Sequence, residues 1–287
     1  MAEHDLNALK SSGFMTQKEK DLFSVRLRIA GGYIKAEQLP KLAEISKKFG
    51  RGHLHLTTRQ GIEIPYVHFD NLEKVRNELA EVGLKIGACG PRVRTVTACQ
   101  GEACSHGLIE AQHLGKKIDE IFFGRSGIPH KFKICVTGCP NACIKPVEND
   151  FGIMGVVRKI FVKEKCNYCR LCQEVCPVGA IKVEENELHY DPSKCIFCGD
   201  CIFACPSYAW EQEKVGYKIF VGGKMGKFPD LGREVFSFWE GEERLFQLIE
   251  KTLDFYKEAG KKGERFGGTI GRIGLDNYKE KMEAAIA

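Results

Sequence analysis

Fourteen cysteines stand in this chain of 287 residues, and eight of them form two runs of identical spacing. Each run reads Cys-x2-Cys-x2-Cys-x3-Cys-Pro. The runs are Cys166, Cys169, Cys172, Cys176 and Cys195, Cys198, Cys201, Cys205. Thiolates at this spacing hold [4Fe–4S] clusters, and where two runs occur the fourth cysteine of each ligates the other cluster. The eight residues therefore predict two clusters that transfer single electrons.

Four further cysteines form two pairs. Cys99 and Cys104 are separated by four residues, and Cys139 and Cys143 by three. Four thiolates in two loops can hold a third [4Fe–4S] cluster. The alternative is that they are buried structural cysteines, which behave as small apolar residues. Clustered pairs in a chain that already has two iron–sulfur runs favour the cluster.

Two cysteines lie outside these patterns. Cys135 stands four residues before Cys139 and is an alternative ligand of the third cluster, although a buried strand thiol is the commoner role for such a residue. Cys89 has no partner at ligand spacing, so we expect it to be structural.

The composition indicates a folded protein of a reducing compartment. Hydrophobic residues make up 43% of the chain, and residues 1–5 lack the order of a secretory signal peptide. Cysteines without such a signal favour metal-holding thiolates over disulfides, so we expect a cytoplasmic protein. No apolar run approaches the roughly 20 residues that cross a bilayer, and the net charge of +5 is small. We therefore expect neither a membrane nor a nucleic acid as a partner.

The hydrophobic pattern predicts an α+β fold with an interruption. Residues 1–83 form a unit with strands at 23–30, 53–57 and 61–67 and helices at 35–49 and 71–82. A second domain spans 84–158 and 213–287, with strands at 93–97, 131–136, 151–157 and 217–221 and helices at 104–121 and 242–258. Residues 159–212, which carry the two cysteine runs, resemble a bacterial two-cluster ferredoxin domain inserted into it.

Several segments outside that insertion resemble the sulfite and nitrite reductase family. Gly-Cys-Pro-Asn-Ala-Cys at 138–143, after Lys-Phe-Lys at 131–133, is similar to the family's cluster-and-sirohaem motif. Residues 25–32 resemble its Arg-x-Arg strand, 56–60 its Leu-Thr-(Thr/Asn)-Arg-Gln motif and 217–227 its late Gly-Gly stretch. The chain resembles the small single-repeat members of this family, such as those of the dissimilatory and anaerobic sulfite reductases.

The resemblance implies cofactors and roles for individual residues. The cofactors would be sirohaem and three [4Fe–4S] clusters, one of them coupled to the sirohaem. The ligands of the coupled cluster would be Cys99, Cys104, Cys139 and Cys143, with Cys143 also the axial ligand of the sirohaem iron. The anionic substrate would be bound by Arg26, Arg59, Lys131 and Lys133. The sirohaem carboxylates would be bound by Arg28, Arg92, Arg94, Lys224 and Lys227.

The implied activity is the reduction of sulfite to sulfide with electrons relayed through three clusters. Nitrite reduction to ammonia is an alternative, and so is a non-catalytic electron-transfer protein that lost its haem. Beside Lys131, His130 is the histidine that we would test as a proton donor.

The chain departs from the family in one cysteine spacing and in the number of α+β units. The family's first cysteine pair usually encloses five residues, whereas Cys99 and Cys104 enclose four. Larger members contain two copies of the α+β unit, and this chain has one. We therefore expect a homodimer or a higher homo-oligomer, with basic side chains crossing to the other protomer's sirohaem. An external low-potential donor, such as a ferredoxin or a reductase subunit, would supply the electrons.

Overall fold

The computed structural model describes residues 5–286, and its N-terminal part is an antiparallel sheet with packed helices. Its elements are α1 (Leu6–Ser11), β1 (Phe14–Thr16), β2 (Leu22–Arg28), α2 (Leu39–Phe49), β3 (His55–Leu56), β4 (Ile62–His68), α3 (Leu72–Glu81) and β5 (Lys85–Ile86). The strand order is β1-β2-β4-β3, and β5 also pairs with β2. Helices α2 and α3 bury their apolar faces in the same core as β2 and β4. The strands and helices predicted for this part are confirmed, with shifted ends.

The rest of the chain supplies a second sheet and its helices. The elements are β6 (Thr97–Ala98), α4 (Ala111–Phe122), β7 (Ile134–Thr137), β8 (Phe151–Phe161), α5 (Leu171–Glu174), β9 (Ile181–Glu184), β10 (Glu187–Tyr190), α6 (Asp200–Ala204), β11 (Trp210–Val221), β12 (Arg233–Trp239), α7 (Glu242–Ala259), α8 (Phe266–Ile273) and α9 (Leu275–Ile286). The five-stranded sheet has the order β12-β11-β8-β7-β6. Within residues 5–286, no helix is long and apolar enough to cross a membrane.

Strand direction in the second sheet decides where the loops meet. Strands β6, β7 and β8 are parallel, whereas β11 is antiparallel to both β8 and β12. Helices α4, α7, α8 and α9 share one apolar core with this sheet. Because β6 and β7 are parallel, the residues that follow them lie at one end of the strands and the residues that precede them lie at the other end.

Residues 162–209 lie at the tip of a long hairpin. Strands β8 and β11 pair from Phe151 with Val221 to Phe161 with Trp210, and residues 162–209 connect their far ends. This connection contains the β9–β10 hairpin and the short helices α5 and α6, and it has a small core of its own. The cysteine runs therefore extend from the second sheet without breaking it.

The structure differs from the sequence predictions at several elements of the second sheet. Of the strand predicted at 93–97, only Thr97 joins the sheet, as part of β6, and Val93 makes an isolated bridge with Phe132. The helix predicted at 104–121 begins at Ala111, because the Glu102 carboxylate accepts hydrogen bonds from the amides of Gln112 and His113 and so caps the first turn there. Strand β12 and helices α8 and α9 had no sequence prediction.

Candidate functional site

A cavity of about 460 Å³ lies between the two sheets, and basic side chains line it. They are Lys10, Arg26, Arg59, Arg94, Lys131 and Lys133. No Asp or Glu residue is among the described residues that line the cavity. All four residues predicted to bind the anionic substrate thus meet in one place, together with one of those predicted to bind sirohaem carboxylates.

Arg59 reaches the cavity from the loop between β3 and β4. Its Nη1 donates to Oδ1 of Asn149 at 2.7 Å, and its Nη2 donates to the carbonyl oxygen of Thr95 at 2.9 Å. The adjacent Gln60 exchanges two hydrogen bonds with the backbone of Ala98, at 2.8 and 3.0 Å. The Arg-Gln pair therefore joins the N-terminal sheet to the edge strand β6 and fixes the guanidinium inside the cavity.

Arg26 enters from β2, opposite Glu63 on β4. Its Nε donates to Oε1 of Glu63 at 2.7 Å, and its Nη1 donates to Sγ of Cys89 at 3.0 Å. Cys89 is buried and lines the cavity, a position that its isolated place in the sequence did not indicate. Arg26 is thus oriented by a carboxylate, unlike Arg59, whose two acceptors are neutral.

The two lysines stand before β7, above a buried ion pair. The amide of Lys133 donates to Oδ2 of Asp150 at 2.9 Å. Asp150 is fully buried and also accepts from Nη2 of Arg265, at 2.7 and 2.9 Å. Arg265 follows α7 and carried no sequence signal. It compensates Asp150, so the Asp150 carboxylate is not free to neutralise the lysine ammonium groups.

Positive charge is crowded in this cavity. Burial, together with Arg59 and Arg265, lowers the pKa of Lys133 to about 8. Burial and the neighbouring cations Arg265 and Arg94 also lower the pKa of Lys131. Burial and Lys131 lower the pKa of His130, which favours its neutral form. An anionic ligand would relieve this repulsion.

The described residues leave several of these cations without a carboxylate partner. The ion pairs of residues 5–286 include none that involves Arg59, Arg94, Lys131 or Lys133. Arg94 donates to the carbonyl oxygens of Ala88 and Gly90 and interacts with the Cys89 thiol, and its buried Nε has no acceptor among the described residues. Buried charges are normally paired. The cavity therefore fits a ligand with several negative charges, or a small anion beside such a ligand.

The other residues predicted to bind sirohaem carboxylates do not line the cavity. Arg28, two residues beyond Arg26, donates from Nε to Oδ2 of Asp119 on α4 at 2.6 Å, because β2 continues past the cavity toward that helix. Arg92 is also absent from the lining residues. Lys224 and Lys227 lie in the loop between β11 and β12, and Lys227 is exposed. The structure thus brings Arg94 to the cavity and leaves these four elsewhere.

The four cysteines of the predicted third cluster stand at one end of β6 and β7. Cys99 follows β6 and Cys139 follows β7, and the amide of Gly138 donates to Sγ of Cys99 at 2.9 Å. Burial raises the pKa of the Cys139 thiol, and the thiols of Cys99, Cys104 and Cys143 raise it further. The four thiols therefore lie within electrostatic range of one another.

The four thiols do not form a preformed site for a single metal ion. Within residues 5–286, no three His, Cys, Asp or Glu side chains are placed to hold one metal ion. A cubane presents four separate irons, and each iron takes one thiolate, so its protein ligands stand further apart than those of one ion.

Cys135 has the properties of a buried strand thiol. It lies in β7 with no exposed surface, and its Sγ donates to the carbonyl oxygen of Ile144 at 3.5 Å. Burial raises its pKa to about 12, as expected for a thiol inside the sheet. The shorter Cys104 loop is anchored instead by the amide of Leu108, which donates to the carbonyl oxygen of Gly138 at 2.9 Å.

The cavity and the cysteine group lie at opposite ends of β6 and β7. Thr95 and Lys133 precede these strands and line the cavity, whereas Cys99 and Cys139 follow them. The chain from Lys133 to Cys139 covers up to about 20 Å when extended. Arg59 lies between the two ends, because it contacts Thr95 while the adjacent Gln60 contacts Ala98.

In residues 162–209 the two cysteine runs cross. One small pocket is lined by the first three cysteines of the first run and the last cysteine of the second run, Cys166, Cys169, Cys172 and Cys205. Cys201 lies within electrostatic range of Cys195 and Cys198. The position of Cys205 is the one that an exchange of the fourth ligand, as in two-cluster ferredoxins, would give it. The presence of the two clusters stays a prediction.

Comparison with protein families identifies the chain's relatives. A model described as the nitrite and sulphite reductase 4Fe-4S domain matches residues 89–287, and one described as the nitrite/sulfite reductase ferredoxin-like half domain matches residues 15–82. The chain belongs to the nitrite and sulphite reductase family. The predicted resemblance is therefore confirmed, and the matched boundaries separate the two sheets of the structure.

Similar proteins in the family include several sulfite reductases. A coenzyme F420-dependent sulfite reductase of Methanocaldococcus jannaschii is 32% identical over 94% of this chain, which spans 44% of that protein. A subunit of the anaerobic sulfite reductase of Salmonella typhimurium is 26% identical over 96% of this chain and 88% of its own length. The crystal structure of dissimilatory sulfite reductase I matches with a TM-score of 0.76 at 23% sequence identity. The match covers 91% of this chain and 69% of the matched chain, so the two share this fold.

Proposed function

We propose that this chain is the catalytic subunit of a sirohaem-dependent reductase that converts sulfite to sulfide. One observation supports it above all: a cavity with six basic side chains and no acidic one among its described lining residues, in a chain that also groups four cysteines in the loops after β6 and β7. A protein that only transfers electrons has no use for such an anion site. The named sulfite reductases among its relatives favour sulfite over nitrite as the substrate.

The residues present fit a polyanionic macrocycle coupled to a cluster. Cys99, Cys104, Cys139 and Cys143 would hold the cubane, and Cys143 would also ligate the sirohaem iron. When bound, sirohaem supplies an iron with an open coordination position for sulfite and the route by which electrons reach it. Arg94, with its unpaired Nε, is the cavity residue that we assign to a sirohaem carboxylate.

The side chains of this chain would bind the anion and handle protons. Arg59 and Arg26 are fixed by their hydrogen bonds and orient the sulfite oxygens. Reduction of sulfite removes oxygen as water, which consumes protons. The ammonium of Lys133, with a pKa of about 8, holds a proton at neutral pH and releases it readily, as a general acid should.

The two clusters proposed for residues 162–209 would carry electrons toward this site. Gly199, between Cys198 and Cys201, approaches the second domain so closely that an added Cβ would stand 2.9 Å from Val157 and 3.3 Å from Leu108. Leu108 in turn bonds to Gly138, beside Cys139. The Cys195 run is therefore nearest the third cluster, and the Cys166 run is the point of entry from an external donor.

The opposite placement of cavity and cysteines supports a site shared between two chains. In a homodimer, the cavity of one chain would face the cysteine group of the other. We expect co-expressed Lys131→Ala and Cys139→Ser chains to recover up to about half of the wild-type activity in the mixed dimer, since one of its two sites then has both residues intact. A site contained within one chain would leave the mixed dimer as inactive as either parent.

The assay that tests the proposal is steady-state reduction of sulfite and nitrite, measured side by side with a low-potential dye on the purified holoprotein. We expect visible bands of sirohaem and release of sulfide from sulfite. A protein without sirohaem bands, or one that reduces nitrite in preference to sulfite, would contradict it.

The pKa of Lys133 gives a pH dependence with a defined sign. Since Lys133 is protonated below a pKa of about 8, kcat/KM for sulfite should fall as pH rises through that value. The guanidinium of Lys133→Arg stays charged, so the variant should not show this fall. The ratio of the two profiles cancels the ionisation of sulfite itself. Parallel profiles would exclude Lys133 as the titrating group.

A further inference from the structure

Lys159 on β8 occupies an unusual position next to the cysteine runs. Its Nζ donates to Sγ of Cys195 at 3.1 Å, and it lies within electrostatic range of Cys201. The ammonium also lies 4.4 Å from the ring centroid of Tyr190 and 5.2 Å from that of Trp210. Lys159 is thus half-buried against one cysteine run.

No carboxylate in residues 5–286 forms an ion pair with Lys159, although its neighbours on the same hairpin are paired. Arg158 and Lys214 both pair with Glu240, at 3.0 Å in each case, and Lys165 pairs with Glu211. A partly buried ammonium needs a negative partner. A [4Fe–4S] cluster with four thiolates carries net negative charge, and Cys195 is one of the predicted ligands.

The thiols predicted to hold the other cluster have no equivalent cation among the described residues; they are Cys166, Cys169, Cys172 and Cys205. The thiols of Cys166 and Cys205 accept hydrogen bonds from backbone amides, those of Tyr168 and Ala209, and Cys205 also contacts the Ser207 hydroxyl. Among the described hydrogen bonds, no Lys or Arg side chain donates to this set of thiols. The two halves of the segment therefore differ by one positive charge in contact with a ligand sulfur.

We propose that Lys159 raises the reduction potential of the cluster held by the Cys195 run above that of the cluster held by the Cys166 run. A nearby positive charge stabilises the reduced cluster, which has one more negative charge, and hydrogen bonds to ligand sulfur act in the same direction. The Cys195 run faces the second domain, through Gly199 and Leu108. Lys159 thus directs electrons inward, from the exposed cluster to the one nearest the catalytic site.

This inference rests on the two clusters of the proposed function, and the test distinguishes a failure of the inference from a failure of the proposed function. The holoprotein is reduced stepwise at controlled potentials, and each cluster is followed by its electron paramagnetic resonance signal. In Lys159→Gln, the more positive of the two ferredoxin-type clusters should shift to lower potential by on the order of 59 mV, which is a tenfold change in the electron equilibrium between the clusters. Lys159→Arg keeps the charge and should stay near the wild-type value.

Arg158→Gln is the matched control, because it removes one positive charge from the adjacent residue on the opposite face of β8. It should leave both potentials unchanged. The inference would be overturned if Arg158→Gln shifted a potential equally. It would also be overturned if Lys159→Gln shifted the more negative cluster, shifted neither cluster, or lost the iron of the more positive cluster. Wild-type protein with the iron of one cluster only would instead overturn the proposed function, and the inference with it.

Discussion

Replacing Lys131 with alanine is expected to lower sulfite turnover by about 100- to 1,000-fold while sirohaem stays bound. The Lys131 ammonium lines the cavity, is half-buried and has no carboxylate partner among the described residues. Its charge is therefore available to the substrate, and in a partly desolvated site such a charge acts more strongly than in water. The loss should appear in kcat/KM for sulfite, with the visible sirohaem bands unchanged.

Lys227→Ala is the control for this prediction. Lys227 was predicted to bind sirohaem carboxylates, yet it is exposed on the loop between β11 and β12 and does not line the cavity. The variant should keep both its turnover and its haem. If Lys131→Ala lost its haem instead, Lys131 would be a cofactor-binding residue and the catalytic assignment would be wrong.

The parts of the fold that the sequence predicted are those with local periodicity. The helical spacing of α2 and α7 and the alternation of β2 and β4 each identify a buried face within one segment. Strand β12 spans only seven residues, helix α8 contains three glycines in eight residues, and helix α9 carries five charged residues in twelve. They are ordered by packing with the aromatic core around Tyr256, Phe266 and Tyr278, which no single segment reveals.

The sequence predicted the site residues that stand in a recognisable motif. It did not predict those whose role depends on a contact with a distant part of the chain. Arg59 and Lys133 stand in family motifs, and the structure brings both to the cavity. Arg265 stands in no motif, and its role depends on Asp150, which is 115 residues away in the chain. Arg28 also stands in a family motif, but its guanidinium donates to Asp119 on α4 and does not line the cavity.

The assignment of Cys139 as a ligand of the third cluster predicts a second large loss of activity. Cys139→Ser should lose the iron of one cluster and the sirohaem coupled to it, and with them all reduction of sulfite. The reason is that Cys139, which follows β7, lies within electrostatic range of the thiols of Cys99, Cys104 and Cys143. Iron content and the visible spectrum of the purified variant measure both losses directly.

Cys135→Ser is the matched control, because Cys135 stands four residues before Cys139, inside β7. Its thiol is fully buried, donates to the Ile144 carbonyl and has a pKa raised to about 12, so a serine hydroxyl can replace it as donor. This variant should keep its iron, its haem and its turnover. Loss of iron from Cys135→Ser, with retention in Cys104→Ser, would show that the shortened loop fails to reach the cluster. In that case β7 and the loop after it would supply three ligands, Cys135, Cys139 and Cys143, and Cys104 would not be a ligand.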